Sequence, residues 1–116
     1  WYSDEMLECC EPLSKIRETG ITFDQFLCLS RCHGLESKAA RPDEPDGSFE
    51  KFKEAVERST TNPRRHLVVS FSRQALNQTG IGHFSPIAGY HRERGLVLVL
   101  DVARFNFSIY CFLSQT

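Results

Sequence analysis

The sequence lacks several features that would assign it to a special class of proteins. No apolar run approaches the roughly 18 residues that a membrane-spanning helix needs, and no segment has the pattern of a signal peptide. The formal net charge of −1 gives no general affinity for nucleic acid or for membranes. There is no internal repeat and no low-complexity segment. The 116 residues, 41% hydrophobic and 25% charged, therefore predict at most one soluble globular domain.

The number of cysteines is odd, which excludes a fully paired disulfide framework within the chain. There are five, and the adjacent pair Cys9 and Cys10 is of a kind that seldom forms a bond with itself. We expect a reduced, cytoplasmic protein with buried or reactive thiols. A disulfide-stabilised secreted domain is the alternative. The chain starts at Trp1 and stops at Thr116 with no closing element, so we interpret it as a fragment.

Helix signals dominate the first third of the chain. Ser3 can cap a short helix over 4–10, which Pro12 then limits. Gly20 marks a turn. A second helix is expected to start after Thr22 and to end near Gly34.

The next segment is predicted to contain a loop between two regular elements. Residues 36–41 could form a short strand, and the composition of 42–47 predicts a loop. Ser48 can cap a helix over 49–59, whose apolar residues fall on one face. Asn62 and the proline after it end this helix.

The hydrophobic period then changes to that of strands. Residues 67–71 predict a buried strand, and 84–90 and 96–100 predict two more, joined by the polar segment 91–95. Helices followed by an antiparallel sheet indicate an α+β domain.

One histidine and one aspartate lie at the ends of neighbouring predicted strands. If the turn centres on Arg92, His83 lies directly opposite Asp101, with Cα atoms roughly 4.5–5.5 Å apart. A turn centred between Glu93 and Arg94 would misalign them by about three residues and put them on opposite faces. In contact, the carboxylate would orient the imidazole to take a proton from a Cys or Ser nucleophile. An ordinary hydrogen bond at a sheet edge is the alternative.

Three segments resemble the signatures of a known family. Residues 78–90 (QTGIGHFSPIAGY) are similar to the histidine segment of phytochelatin synthases, and 98–105 (LVLDVARF) to their aspartate segment. Residues 5–13 (EMLECCEPL) resemble a third signature. The resemblance is collinear and covers about residues 1–105.

The resemblance implies a papain-like fold and a Cys-His-Asp triad that transfers a γ-glutamylcysteine unit between two glutathione molecules. His83 would be the general base and Asp101 its orienting partner. No cysteine here matches the family's nucleophile, so residues 1–116 are expected to be a partial catalytic domain, inactive alone. The nucleophile-bearing N-terminal part and the C-terminal end would be missing, and residues 106–116 depart from the family pattern.

Four cysteines form the candidate metal site. Cys28 and Cys32 share one helix face, and thiolates favour Cd²⁺, Zn²⁺ or Cu(I). With Cys9 and Cys10 they could close a four-sulfur site, although the spacing is not that of a zinc finger. The alternative is small apolar side chains between helices. The resemblance implies activation by Cd²⁺ or Zn²⁺, either bound directly or supplied as a metal–glutathione thiolate substrate.

Glutathione is the expected substrate, and guanidinium groups suit its two carboxylates. No acidic residue occurs between Arg58 and Arg92. The resemblance makes Arg73 and Arg104 candidate substrate contacts, with a solvated basic face as the alternative. Gly82 is a third candidate, because a glycine beside His83 would let a substrate backbone approach closely. Without interleaved aromatic residues, nucleic acid is not an expected partner. The near-neutral charge gives no case for a membrane, and a homodimer is a candidate assembly. Two other functions stay open: a thiol-rich metal-binding or regulatory module, and a papain-like glutathione hydrolase.

Overall fold

The computed structural model of the chain describes residues 8–72, 74 and 83–101, and the backbone of 109–113. Two compact units divide the chain, residues 1–41 and residues 42–116. None of the helices described is both long and apolar enough to cross a membrane.

Helix α1, Leu13–Thr19, opens the described part of the first unit. The carbonyl oxygen of Pro12 accepts from the backbone of Lys15 and Ile16, and Gly20, with φ of 77°, ends the helix. Proline has no N–H to lose and a φ suited to the entry of a helix, which explains why a helix begins here. The sequence prediction used Pro12 only as a helix end and therefore missed α1.

The helix predicted over 4–10 is wrong where it can be checked. Residues 8–10 form a turn and a bend, and residues 4–7 lie outside the described part. The short strand predicted over 36–41 is also wrong, since those residues have no strand conformation. The segment instead folds back through side chains: the Ser37 hydroxyl lies 2.7 Å from that of Ser30, and Arg41 lies 2.6 Å from Asp24.

Helix α2, Phe23–Cys32, has the caps that the sequence predicted. The Thr22 hydroxyl accepts from the Gln25 backbone at 3.2 Å, and the Gln25 amide oxygen accepts from the Thr22 backbone at 2.8 Å. This reciprocal pair is a capping box. At the other end Gly34 has φ of 80°, and the Leu35 N–H reaches back to the Ser30 carbonyl. That is a Schellman motif, which glycine permits at little steric cost.

Two disulfides join the turn before α1 to helix α2. They are Cys9–Cys32 and Cys10–Cys28. Adjacent cysteines thus bond to consecutive turns of one helix, as the spacing of four residues allows. The expectation of reduced thiols differs from this structure, in which four of the five cysteines are paired.

Helix α3, Phe49–Thr61, begins the regular part of the second unit after a loop with one 3₁₀ turn at Pro45–Gly47. The Ser48 hydroxyl accepts from the Lys51 backbone at 3.3 Å, and the helix ends at Asn62. The predicted cap, end and loop are confirmed, with the helix two residues longer than expected.

Four antiparallel strands follow in the spatial order β1-β2-β3-β4. They are β1 Val68–Phe71, β2 His83–His91, β3 Leu96–Leu100 and β4 Ile109–Leu113. The first three and the α+β class agree with the sequence prediction, although β1 is half-buried rather than buried. Strand β4 was not predicted, and it pairs along the whole of β3.

The core of the second unit lies between α3 and one face of the sheet. Val56 of α3 is 1% exposed and Val99 of β3 is fully buried, with Ile87 and Val97 beside them. Phe52, from the turn of α3 before Val56, packs against the same cluster. The core is small, so each buried methyl group has a measurable effect on stability.

Val56 should be far more important to stability than the larger Phe49 of the same helix. We expect Val56→Ala to lower the free energy of unfolding by about 1–3 kcal/mol, because it leaves a cavity. Phe49 is 43% exposed, so Phe49→Ala should cost well under half as much. Urea unfolding followed by circular dichroism measures both; an equal loss for the two variants would contradict the packing described.

The disulfides should hold the first unit together. Each closes a loop of about twenty residues, with sequence separations of 23 and 18. The loops are nested and share their ends, so the second bond closes little additional chain. Reduction of both bonds should therefore lower the stability of residues 8–35 by roughly 3–4 kcal/mol in total. Peptide mapping without reductant should find both linkages in the wild type and in the control variant Cys111→Ser. Four alkylatable thiols at the paired positions would contradict this expectation.

Candidate functional site

His83 and Asp101 meet at one end of the sheet. His83 is the first residue of β2, Asp101 follows β3, and Nε2 of the histidine lies 3.0 Å from Oδ1 of the aspartate. The Asp101 side chain is fully buried and that of His83 is 22% exposed. The contact predicted from the sequence is therefore present, and its partly sheltered position strengthens the electrostatic attraction relative to water.

The route to this contact differs from the one that the sequence favoured. His91 pairs with Leu96, so the turn centres between Glu93 and Arg94, the register expected to separate the pair. A β-bulge between Ile87 and Gly89 then shifts the register by one residue, because Ala88 has no partner on β3. One extra residue exchanges the two faces of a strand. The bulge thus returns His83 to the face that Asp101 occupies.

The bulge also explains the burial pattern of β2. On the loop side Tyr90 pairs with Val97, and beyond the bulge Ile87 pairs with Val99. Tyr90 and Ile87 are three residues apart, yet both pack in the core, while Ala88 between them is exposed. From Ile87 the ordinary alternation of a strand leads to Ser85 and then to His83 on the same face.

The His83 ring is also in contact with β1. Phe71 pairs with His83 in the β1–β2 register, and the two rings meet edge to face with centroids 6.0 Å apart. Because Asp101 lies against Nε2, Nδ1 is the ring nitrogen left to exchange a proton with a reacting group. Although Nε2 and Oδ1 are 3.0 Å apart, Nε2 has no formed hydrogen bond in this structure.

One buried polar residue was missed by the sequence prediction. Ser85 is fully buried, and no hydrogen-bond partner for its Oγ occurs in the described part of the chain. Such a hydroxyl typically costs about 1–3 kcal/mol if it stays unpaired. Its position two residues after His83 is the signal that could have revealed it, since such residues share a face.

The candidate substrate contacts lie outside the described residues, whereas two arginines of the stretch 58–92 have acidic partners. Arg73, Gly82 and Arg104 all lie outside the described residues. Arg58 lies 3.4 Å from Glu54, and Arg92 lies 3.2 Å from Glu57. Acidic residues of α3 thus pair with the two arginines that bound the stretch without acidic residues.

The four candidate metal ligands come together in the first unit. The sulfur atoms of Cys9, Cys10 and Cys32 all lie within 4.8 Å of one another, and Cys28 is bonded to Cys10. These four side chains line an open depression with Asp24, Leu27 and Arg31. Convergence of the sulfurs agrees with the sequence prediction, but in this oxidised form they are bonded to each other.

Glu11 helps to hold the cysteine turn against α2. Its carboxylate lies 2.6 Å from Lys15 Nζ and accepts from the Gln25 amide at 3.0 Å. The hydrogen bond from Lys15, with a smaller effect of Gln25, lowers the pKa of the Glu11 carboxyl below its usual value. Gln25 also belongs to the capping box of α2. Its side chain therefore links the start of that helix to Glu11, which directly follows Cys9 and Cys10.

Comparison with known proteins gives a consistent result. The family model described as phytochelatin synthase matches residues 1–115. A glutathione gamma-glutamylcysteinyltransferase 3 of Lotus japonicus is 49% identical over 107 residues, which are 92% of this chain and 22% of the relative. The Arabidopsis thaliana glutathione gamma-glutamylcysteinyltransferase 1 is 40% identical, again over 92% of this chain and 22% of its own length.

A fungal relative extends the match. The glutathione gamma-glutamylcysteinyltransferase of Schizosaccharomyces pombe is 40% identical over 112 residues, which cover 95% of this chain and 26% of the relative. The chain therefore spans about a quarter or less of the length of these relatives.

Proposed function

The chain belongs to the phytochelatin synthase family, and we propose that it supplies the histidine and the aspartate of a γ-glutamylcysteinyl transferase site. The 3.0 Å contact between His83 Nε2 and Asp101 Oδ1 is the observation that carries this proposal. In a papain-like arrangement the nucleophilic cysteine would come from a part of the protein outside these 116 residues.

The pair would act as a general base and then as a general acid. Nδ1 of His83 takes the proton of the cysteine thiol, and the thiolate attacks the cysteinyl-glycine carbonyl carbon of glutathione. The carbon–nitrogen bond breaks, and glycine leaves with the proton that His83 returns to its amine. His83 next accepts a proton from the amine of a second glutathione, which attacks the thioester, lengthens the peptide and releases the cysteine.

Asp101 would keep the imidazole in the productive orientation through these steps. Its carboxylate favours the tautomer with the proton on Nε2, so that Nδ1 can accept, and it stabilises the imidazolium that forms. Full burial of the Asp101 side chain keeps water from competing for this contact. Arg73, Gly82 and Arg104 remain the proposed contacts for the substrate carboxylates and backbone. Metal–glutathione thiolate is the proposed form of the activated substrate, in the cytoplasm.

A segment exchange tests this function. In the Lotus japonicus relative, the matching segment is replaced by that of this chain, and glutathione with Cd²⁺ is supplied. We expect phytochelatin formation, which His83→Ala should reduce by at least about 10³-fold and Asp101→Ala by less. Chromatography with mass spectrometry measures the oligomers.

Three comparisons make the exchange decisive. His66→Ala, at an exposed position before β1, should leave activity unchanged. The purified 116-residue chain alone should make no oligomers, since the proposed nucleophile lies elsewhere. An inactive exchange protein, or full activity of the His83→Ala form, would refute the proposal. Release of γ-glutamylcysteine without any oligomer would instead indicate a hydrolase.

A second function has its own observation. Sulfur atoms of Cys9, Cys10 and Cys32 lie within 4.8 Å of one another, and Cys28 joins them through its bond to Cys10. Once reduced, four thiols in this arrangement would suit a soft ion such as Cd²⁺ or Zn²⁺, because thiolates are soft ligands. The residues Cys9, Cys10, Cys28 and Cys32 would hold the ion and link the first turn of the unit to α2. Such binding would serve metal storage or regulation without turnover.

Native mass spectrometry with Cd²⁺ tests the metal site. After reduction, the chain should bind one ion, and the double variant Cys28→Ser/Cys32→Ser should lose it because half of the ligands are gone. The matched control Cys111→Ser changes the remaining cysteine and should bind as the wild type does. Before reduction, little binding is expected, since disulfide sulfurs carry no charge. Equal uptake by the double variant would exclude the site.

A further inference from the structure

Ser85 is a buried polar residue that the proposed chemistry has not used. Its side chain is fully buried, between the valines and isoleucine of the core on one side and the His83–Asp101 pair on the other. Its Oγ has no hydrogen-bond partner among the residues described, and the same is true of His83 Nε2. Within the described part of the chain, these two atoms are the buried side-chain polar atoms that lack a hydrogen bond.

The register places Ser85 beside the pair. Ser85 faces Val69 of β1, which offers no polar group. On the other side Ile87 pairs with Val99, and continuing this pairing by two residues brings Ser85 opposite Asp101. Residues directly opposite in an antiparallel pair have their Cβ atoms roughly 4.5–5.5 Å apart. The bulge at Ala88 makes this alignment, since without it Ser85 would fall on the other face.

Donor and acceptor capacities point to a shared partner. The serine hydroxyl can donate, and a histidine protonated on Nε2 also donates there. An ionised carboxylate only accepts, and it has about four lone-pair positions for donors. The Asp101 side chain is fully buried, lies 3.0 Å from His83 and falls opposite Ser85 in the continued register, so one carboxylate can satisfy the two buried donors.

We propose that Ser85 is a positioning residue: rotation about its Cα–Cβ bond brings the hydroxyl, which is unpaired in this structure, to the Asp101 carboxylate, where it donates and thereby fixes the acceptor that orients His83. The inference depends on the proposed function for its catalytic meaning, although the hydrogen bond itself does not. A role in packing alone makes a different prediction: Ala at this position would then fit the same space and leave His83 unaffected.

Nitrogen-15 NMR of the His83 ring in the 116-residue chain tests the hydrogen bond without any assay of activity. In the wild type we expect the Nε2–H tautomer of the neutral ring. Ser85→Ala should give a mixture of tautomers, and Ser85→Thr, which keeps the hydroxyl, should restore the wild-type spectrum. Val69→Ala is the matched control, since it removes core atoms opposite Ser85 but no donor, and it should keep the Nε2–H form.

Kinetics of the exchange protein test the catalytic consequence. Ser85→Ala should lower kcat roughly tenfold and leave the KM for glutathione unchanged, since substrate contacts are kept. An inactive parent exchange protein would overturn the proposed function but not the NMR result. A wild-type tautomer in Ser85→Ala, or an equal change in Val69→Ala, would overturn the positioning role. If Ser85→Ala does not fold, the Ser85→Thr variant decides instead, and a mixture of tautomers in that variant would overturn the positioning role.

Discussion

A single unpaired residue in β2 decides which side chains of the second unit meet. Ala88 breaks the pairing between β2 and β3, so the strand changes face between Tyr90 and Ile87. On the loop side the bulge lets Tyr90 reach the core, and on the other side it leads through Ser85 to His83. A regular hairpin with the same turn would place His83 and Asp101 on opposite faces. The site therefore depends on backbone geometry before it depends on any contact between side chains.

The same alignment joins the apolar core to the polar pair. Val97, Val99 and Asp101 alternate along one face of β3 and its continuation, so the strand that supplies the buried valines also delivers the carboxylate. Burying a carboxylate is unfavourable unless it is paired and hydrogen bonded. Asp101 therefore needs donors around it, and the proposed positioning role gives Ser85 this task beside His83. Packing of Val56 against Ile87, Val97 and Val99 holds β2 and β3, the strands that lead to these side chains.

The parts of the fold that depend on local hydrogen bonding could be predicted from the sequence. The parts that depend on pairing between distant segments could not. The Thr22 and Ser48 caps and the Gly34 stop follow from hydrogen bonding within a few residues, and each was identified from the sequence. Strand β4 gains its conformation by pairing with β3, which a local pattern does not reveal. Helix α1 was missed because Pro12 was taken as an end signal, although proline also suits the start of a helix.

For the candidate site, the residues could be predicted from the sequence but the backbone register that brings them together could not. The residue types and the family resemblance identified His83 and Asp101, but the turn on which their contact was based is not the one that forms. The bulge is determined by packing both before and after it along β2. Tyr90 and Ile87 can both pack in the core only if one residue between them, Ala88, has no pairing partner on β3. That requirement is visible in the sequence only once the core residues of the partner strand are known.

The sulfur chemistry and the acid–base chemistry of the chain place different demands on their surroundings. A nucleophilic thiol needs an imidazolium or another positive group to hold it as the thiolate. Cys9, Cys10, Cys28 and Cys32 are bonded in pairs, and a disulfide sulfur carries no charge for His83 to stabilise. Reduction would release thiols that lie close to one another, an arrangement that favours a shared metal ion over a single reactive thiolate. The convergence of these cysteines therefore favours a binding or structural role for them, which agrees with a proposed nucleophile that lies in another part of the protein.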